Sequence, residues 1–151
     1  MRFTMLAIAA LATACSKSER AEPLAALAKT CTKDAELGCP RPIFSVRDLH
    51  ASQAYYRDSL GFKIDWEHGD PADFGAVSRA DAQIFMCQGC QGTPGAYAWV
   101  FARDVDRLHA DFVEREAIVR MPPTDMPWGV REMHVADRDG NVIRFATPIE
   151  H

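Results

Sequence analysis

The sequence predicts an α+β protein made of two βαβββ repeats that lie side by side. The segment 44–64, FSVRDLHASQAYYRDSLGFKI, resembles the segment 100–119, VFARDVDRLHADFVEREAIV, in its order of strand, helix and strand. Each half then ends in two apolar runs around a tight turn, at 79–81 in the first and at 138–140 in the second. One such unit cannot bury its own sheet, whereas two units packed together can.

The residues of the first repeat predict a helix and the strands that follow it. Asp48 stands at an expected helix N-cap, because a short carboxylate accepts a hydrogen bond from a free backbone N–H of the first turn. Helical spacing then defines an apolar stripe of four residues, Leu49, Ala54, Tyr55 and Tyr56. The apolar segment around Phe62 predicts the next strand, and 74–87, FGAVSRADAQIFMC, predicts two more.

The second repeat follows the same order. Asp104 is the expected N-cap of its helix, and the apolar stripe consists of Val105, Leu108, Phe112 and Val113. The segment 131–145, REMHVADRDGNVIRF, predicts a hairpin. Its Asp-Gly-Asn turn is explained by backbone geometry, since Gly140 and Asn141 tolerate a positive φ, and we assign these residues no ligand role.

Composition describes a globular protein of ordinary size. Of 151 residues, 48% are hydrophobic and 25% are charged, and the net charge is −4. This acidic balance excludes nucleic acid as a general electrostatic partner. It weakly favours cationic or neutral small molecules.

The N-terminus, MRFTMLAIAALATAC, resembles a secretory signal, with one positive charge followed by an apolar run too short to span a bilayer. Cleavage would follow the Ala-Thr-Ala of residues 12–14, and Cys15 suits a lipidation site, although Ala12 stands where a leucine is usual. We therefore expect a signal peptide at 1–14, a tether at 15–40 and the domain at 41–151. The protein is expected to be exported, either periplasmic or held at the membrane only through lipid on Cys15.

The remaining cysteines fit an oxidising compartment. Cys31, Cys39, Cys87 and Cys90 form an even set, and the local pairs would be Cys31–Cys39 and Cys87–Cys90, although three connectivities are possible. A zinc site would need a second ligand pair that the sequence lacks. A redox dithiol usually opens a helix, whereas the glycines after Cys87 indicate a loop. A structural disulfide or two inert thiols is the favoured interpretation.

Four motifs and their order suggest a family. The repeat, together with YYRDSLGF, FMCQG, PPTDMPW and DRDGNVIRF, resembles the vicinal oxygen chelate superfamily, and within it the glyoxalase and bleomycin-resistance group. The resemblance covers about residues 41–148. It implies a curved mixed sheet with helices on its outer face, and a homodimer with ligand crevices at its interface. It also implies that enzymes of the superfamily bind a divalent metal with His, Gln or Glu.

The positions of those metal ligands hold unsuitable residues here. They correspond to Arg41, Phe85, Tyr97 and Arg144. A guanidinium has no free lone pair and carries a permanent charge, and a phenyl ring has no donor atom at all. We therefore expect no metal and no cofactor.

Strand alternation predicts the wall of a small-molecule site. The predicted ligand-binding residues are Phe85, Tyr97, Trp99, Trp128, Glu132, His134 and Arg144. Aromatic faces hold planar or cationic ligands, and Glu132 would supply an anionic contact. Two alternatives remain open: Glu132 and Arg144 form a structural ion pair, and the aromatic residues are covered by a partner subunit. His134 would then be a satisfied or exposed imidazole.

These observations together predict a binding protein. The favoured hypothesis is non-enzymatic sequestration of an antibiotic-like, cationic small molecule, as the resemblance to bleomycin-resistance proteins implies. The alternatives are a metal-dependent lyase or dioxygenase of the glyoxalase type, and an interaction protein of the cell envelope.

Overall fold

The computed structural model describes residues 38–90 and 92–149. The expected signal peptide, the expected lipidation site Cys15, Cys31 and most of the expected tether lie outside these residues. The elements in chain order are β1 (Ile43–Val46), α1 (Leu49–Asp58), β2 (Lys63–Gly69), β3 (Ala72–Arg79), β4 (Ala82–Gln88), β5 (Tyr97–Phe101), α2 (Val105–Glu114), β6 (Ile118–Met126), β7 (Val130–Ala136) and β8 (Val142–Pro148). The predicted α+β order, βαβββ twice, is confirmed.

Each repeat forms its own four-stranded sheet. Sheet A has the strand order β1-β4-β3-β2, and sheet B has the equivalent order β5-β8-β7-β6. In both, the first strand pairs parallel with the last, and the remaining pairs are antiparallel. Helix α1 packs on sheet A and helix α2 on sheet B, so each sheet has one helix-covered face and one helix-free face.

Both helices begin at the predicted aspartates. The carboxylate of Asp48 accepts from the backbone N–H of Ala51 at 2.9 Å, and Asp104 accepts from Arg107 at the same distance. Both caps have extended backbone angles, as N-cap residues do. The expectation for Val113 is wrong, because its side chain is 57% exposed: it lies one residue beyond Phe112, about 100° round the helix from the buried stripe.

The helix-covered faces share one hydrophobic core. It contains Phe44, Leu49, Tyr56, Ile84 and Met86 from the first repeat and Phe112, Met133, Val135, Ile143 and Phe145 from the second. Two repeats that cannot bury their sheets separately therefore bury them together. In the middle of β4, β7 and β8 alternate residues enter this core, as strand alternation predicts.

Strand β6 is longer than the sequence indicates. It continues through Pro122 and Pro123 as far as Met126. Proline cannot donate to a ladder and is confined to edges and irregular positions. Strand β6 is the edge of sheet B, and its register with β7 shifts between Met121 and Thr124, so both prolines are accommodated.

The turn between β7 and β8 forms hydrogen bonds that connect the second repeat to the first. Asp139 accepts from Nε of Arg47 at 2.7 Å and from Oγ of Ser52 at 2.8 Å, both near the start of α1. Asp137 accepts from the backbone and side-chain nitrogens of Asn141, each at 2.8 Å, and burial raises the pKa of its carboxyl. These turn residues therefore have a structural role, holding the two repeats together.

Cys87 and Cys90 form a disulfide at the end of β4, which confirms one of the two local pairings. Cys31, the partner expected for Cys39, is outside the described residues.

Within the part of the chain that the structure describes, no helix is long and apolar enough to cross a membrane.

Candidate functional site

The helix-free face of sheet B brings together five of the seven predicted ligand-binding residues. Strand β5 places Tyr97 and Trp99 there, β7 places Glu132 and His134, and β8 places Arg144. Trp99 and Arg144 are register partners on neighbouring strands, as are His134 and Arg144. We call these five residues the sheet B face.

Glu132 is the centre of a hydrogen-bond network on this face. Its Oε1 accepts from Nε of Arg144 at 2.7 Å and lies 2.6 Å from Nη2 of the same guanidinium. Nε2 of His134 lies 2.7 Å from the same oxygen, and the indole N–H of Trp99 donates to Oε2 at 3.1 Å. The structural ion pair between Glu132 and Arg144, which the sequence left open as an alternative to ligand contact, is therefore present.

Glu132 is ionised and inaccessible. Its residue is 0% exposed, and burial alone would raise the pKa of its carboxyl. The hydrogen bonds from His134, Arg144 and Trp99, with the positive charge of Arg144, outweigh burial and hold that pKa below its usual value. Because the ionised carboxylate only accepts, Nε2 of His134 carries the proton of their hydrogen bond. The acidic ligand contact expected from Glu132 does not agree with this burial.

The aromatic side chains of the sheet B face remain open. Tyr97 is 67% exposed and Trp99 43% exposed, although large aromatic residues are usually covered. The ring of Trp99 stands edge-on against Phe101, with 4.5 Å between the ring centroids. Its orientation is therefore fixed on one side by Phe101 and at its N–H by Glu132.

Phe85 belongs to a second aromatic group, on the helix-free face of sheet A. Its ring lies 5.3 Å from that of Trp66 and 5.8 Å from that of Phe74, measured between centroids. Sequence reasoning missed Trp66 and Phe74. Phe74 could have been found by pairing β3 with β4. Trp66 could not, because a register shift between Ile64 and Trp66 breaks the alternation of β2.

Trp128 has no ring contact with either aromatic group. It lies in the turn between β6 and β7 and is 57% exposed. Its side chain has no hydrogen bond or ring contact with any residue of 38–90 or 92–149. Its predicted role in ligand binding stays a prediction.

The residues at the superfamily's metal positions do not fit a divalent cation. Arg41 hydrogen-bonds to the side chain of Gln83, the ring of Phe85 lies against those of Trp66 and Phe74, and Arg144 is paired with Glu132. The described residues contain no group of three or more His, Cys, Asp or Glu side chains that could hold a metal. Glu132 and His134 form one acid–imidazole pair, but the guanidinium on Oε1 opposes any cation there.

One buried polar side chain lies on the other face of sheet A. Gln53 of α1 is 1% exposed, and neither its amide nitrogen nor its oxygen has a hydrogen-bond partner among the described residues. It fits against β3 only because residue 75 is glycine, since a Cβ there would lie 2.6 Å from the Gln53 nitrogen. Gln53 is enclosed in the core and takes no part in the sheet B face.

Comparison with known proteins gives consistent matches. A family model described as "Glyoxalase superfamily protein" matches residues 30–150. No curated protein matches the chain. Among solved structures, TnmS3, an antibiotic binding protein from Streptomyces sp. CB03234, is 25% identical with a TM-score of 0.59, over 73% of this chain and 96% of that one.

Two further solved structures match over similar lengths. A member of the glyoxalase/bleomycin resistance protein/dioxygenase superfamily from Sphaerobacter thermophilus is 25% identical, with a TM-score of 0.58, over 72% of this chain and 96% of that one. The bleomycin-binding protein of Streptomyces verticillus, complexed with copper(II)-bleomycin, is 23% identical, with a TM-score of 0.62, over 78% of this chain and 99% of that one. This last likeness concerns the fold.

Proposed function

The chain belongs to the glyoxalase superfamily, and from that premise we propose that it captures a planar, antibiotic-like small molecule and holds it unchanged. The observation that supports this most is the open pair Tyr97 and Trp99 beside a fully bonded Glu132. Exposed rings bordered by a few fixed polar groups are the usual composition of a small-molecule site. The antibiotic-binding and bleomycin-binding relatives add support at the level of the fold.

The hydrogen bonding of Glu132 and His134 favours ligand binding over catalysis. A general base needs a free lone pair within reach of a substrate proton. Both oxygens of Glu132 already accept hydrogen bonds, and Nε2 of His134 is bonded to one of them. These groups fix the position of Trp99 and Arg144, and the carboxylate itself is 0% exposed, so a substrate proton does not come within its reach.

We also propose that two copies of the chain form the complete crevice. Ile43 and Trp66 on sheet A are 39% and 38% exposed, and Tyr97 and Trp99 on sheet B are more exposed still. A second copy would cover these apolar surfaces, and the ligand would lie between them. Light scattering after gel filtration should give about twice the mass of one chain, and a single-chain mass at tens of micromolar would contradict this arrangement.

Export remains a proposal as well. The disulfide between Cys87 and Cys90 supports an oxidising compartment, where such bonds persist. We propose a cleaved signal at 1–14, a tether at 15–40, and lipid on Cys15 as the only membrane attachment. Cell fractionation and intact-mass measurement test this, and Cys15→Ser should release the protein from the membrane fraction. Retention of the variant in that fraction would contradict lipid anchoring.

Capture is tested by calorimetry with purified protein. Suitable probes are metal-free bleomycin, doxorubicin and nalidixic acid, which differ in charge but share planar aromatic parts. We expect at least one to bind stoichiometrically and to be recovered with unchanged mass. Trp99→Ala should weaken that binding at least tenfold, whereas Trp128→Ala, which removes an equally large ring that has no hydrogen bond or ring contact with the sheet B face, should not. Absence of heat with all three at millimolar concentration, or recovery of an altered compound, would contradict the proposal.

A further inference from the structure

The polar groups of the sheet B face have a definite orientation. The acceptor, Glu132, is enclosed, while the side chain of Arg144 is 33% exposed. Arg144 uses Nε and Nη2 for Glu132, and its Nη1 has no hydrogen-bond partner among the described residues. In that part of the chain, the buried side-chain polar atoms that lack a partner all belong to Gln53, so Nη1 is open to solvent.

This orientation determines which charge a ligand meets. The carboxylate and guanidinium cancel at long range, but at contact distance a ligand on Trp99 reaches the guanidinium before the enclosed Glu132. A cationic ligand would therefore meet a like charge at the surface. An anionic or acceptor-rich ligand would instead receive a charge-assisted hydrogen bond, which is stronger than a neutral one.

We propose that the sheet B face selects planar aromatic anions. The ligand ring lies against Trp99 and Tyr97, and a carboxylate or phenolate oxygen accepts a hydrogen bond from Nη1 of Arg144. Glu132 is a positioning residue that holds the guanidinium and the indole in place, and His134 completes its hydrogen bonding. This inference rests on the proposed capture of a small molecule at the same face, and it replaces the cationic ligand expected from sequence.

A matched pair of probes separates the two charges. The probes are 2-naphthoate and 2-naphthylmethylammonium, which share one ring system and carry opposite charges at neutral pH. Calorimetry on the purified protein should show naphthoate binding at least tenfold more tightly. Equal or tighter binding of the ammonium probe would overturn the anion preference while leaving capture intact. Failure of both probes at millimolar concentration would overturn the preference together with capture at this face.

Variants of the ion pair test the residues themselves. Glu132→Gln keeps one acceptor oxygen for the guanidinium but removes the counter-charge of Arg144, so naphthoate should bind several-fold more tightly. If Glu132 were instead a cation contact, this variant would weaken the ammonium probe. The double variant Glu132→Gln, Arg144→Gln leaves no buried unpaired charge and should abolish the preference between the probes. A preference that survives in the double variant would overturn the role of Arg144.

Arg131 supplies the matched control. It lies next to Glu132 on β7 but on the opposite face of sheet B, where it pairs with Asp106 and Asp125. The double variant Arg131→Gln, Asp106→Asn removes this ion pair and leaves the net charge unchanged, as Glu132→Gln, Arg144→Gln does, without altering the sheet B face. It should leave the ratio of the two affinities unchanged, and an equal loss of preference in this control would reduce the effect to general electrostatics and overturn the proposal.

Discussion

The indole nitrogen of Trp99 lies 3.1 Å from Oε2 of Glu132, although their strands are not neighbours in the sheet. Strand β8 lies between them and contributes Arg144, which contacts the other oxygen of the same carboxylate. Three strands are therefore joined by one buried acid. An aromatic ring that is almost half exposed is thus held in a fixed orientation, which lowers the entropy cost of binding a planar ligand.

Trp99→Phe should destabilise the protein and weaken ligand binding. The change keeps most of the ring but leaves one oxygen of the buried Glu132 without its donor, which costs about 1–3 kcal/mol. Urea unfolding measures this loss. Trp128→Phe makes the same chemical change at an exposed position and should stay within about 0.5 kcal/mol of the original. Equal stability of the two variants would contradict a structural role for the indole N–H.

Gln53→Met should stabilise the protein. The two side chains are similar in length, and the substitution removes a buried amide that has no hydrogen-bond partner among the described residues. We expect a gain of about 1–3 kcal/mol in the free energy of unfolding.

Gln88→Met is the contrasting variant for this measurement. The Gln88 oxygen accepts from the backbone N–H of Leu49 at the start of α1, at 2.8 Å, so its removal should destabilise the protein. If Gln53→Met lost stability as Gln88→Met does, Gln53 would have a bonding partner in solution.

Asp139→Asn should reduce the loss of stability in acid. Burial raises the pKa of Asp139, but hydrogen bonds from Arg47 and Ser52 outweigh burial and lower that pKa overall. A lowered folded-state pKa means that this carboxylate stabilises the fold fully above about pH 4, the unfolded value. The contribution is lost as the pH falls through the folded-state pKa.

Melting temperatures measured from pH 7 down to pH 2 test this dependence. The variant should be less stable than the original at neutral pH and should lose less stability on acidification. Asp73→Asn is the control, because Asp73 is exposed and has no hydrogen bond from its side chain to another described residue. Parallel curves for the original protein and Asp139→Asn would show that the contact of residue 139 with Arg47 and Ser52 does not depend on this charge.

Opening the disulfide at the end of β4 should have a modest effect on stability. The bond between Cys87 and Cys90 closes a loop of only a few residues, for which chain entropy gives about 2 kcal/mol. The double variant Cys87→Ser, Cys90→Ser should therefore fold with a melting temperature lowered by several degrees. Failure to fold would show that the bond has a larger role than loop closure, and an unchanged melting temperature would show that it has none.

The sequence by itself determined the features that depend on local geometry. Hydrophobic spacing gave the two repeats, and the two aspartates gave both N-caps, because capping involves atoms within one helical turn. Alternation along β7 and β8 placed Glu132, His134 and Arg144 on one face of the sheet. The pairing of Cys87 with Cys90 is equally local.

Only the tertiary structure decided which side chains on the faces of the two sheets are buried and which residues they contact. Sequence alternation puts Glu132 on the open face, but three donors from three strands make it inaccessible there. The bulge in β2 brings Trp66 to Phe85, and the shared core encloses Gln53. Alternation fixes the side of the sheet on which a residue lies. Burial and partners depend on strands distant in sequence, whose register and bulges are set by the packing of the whole fold.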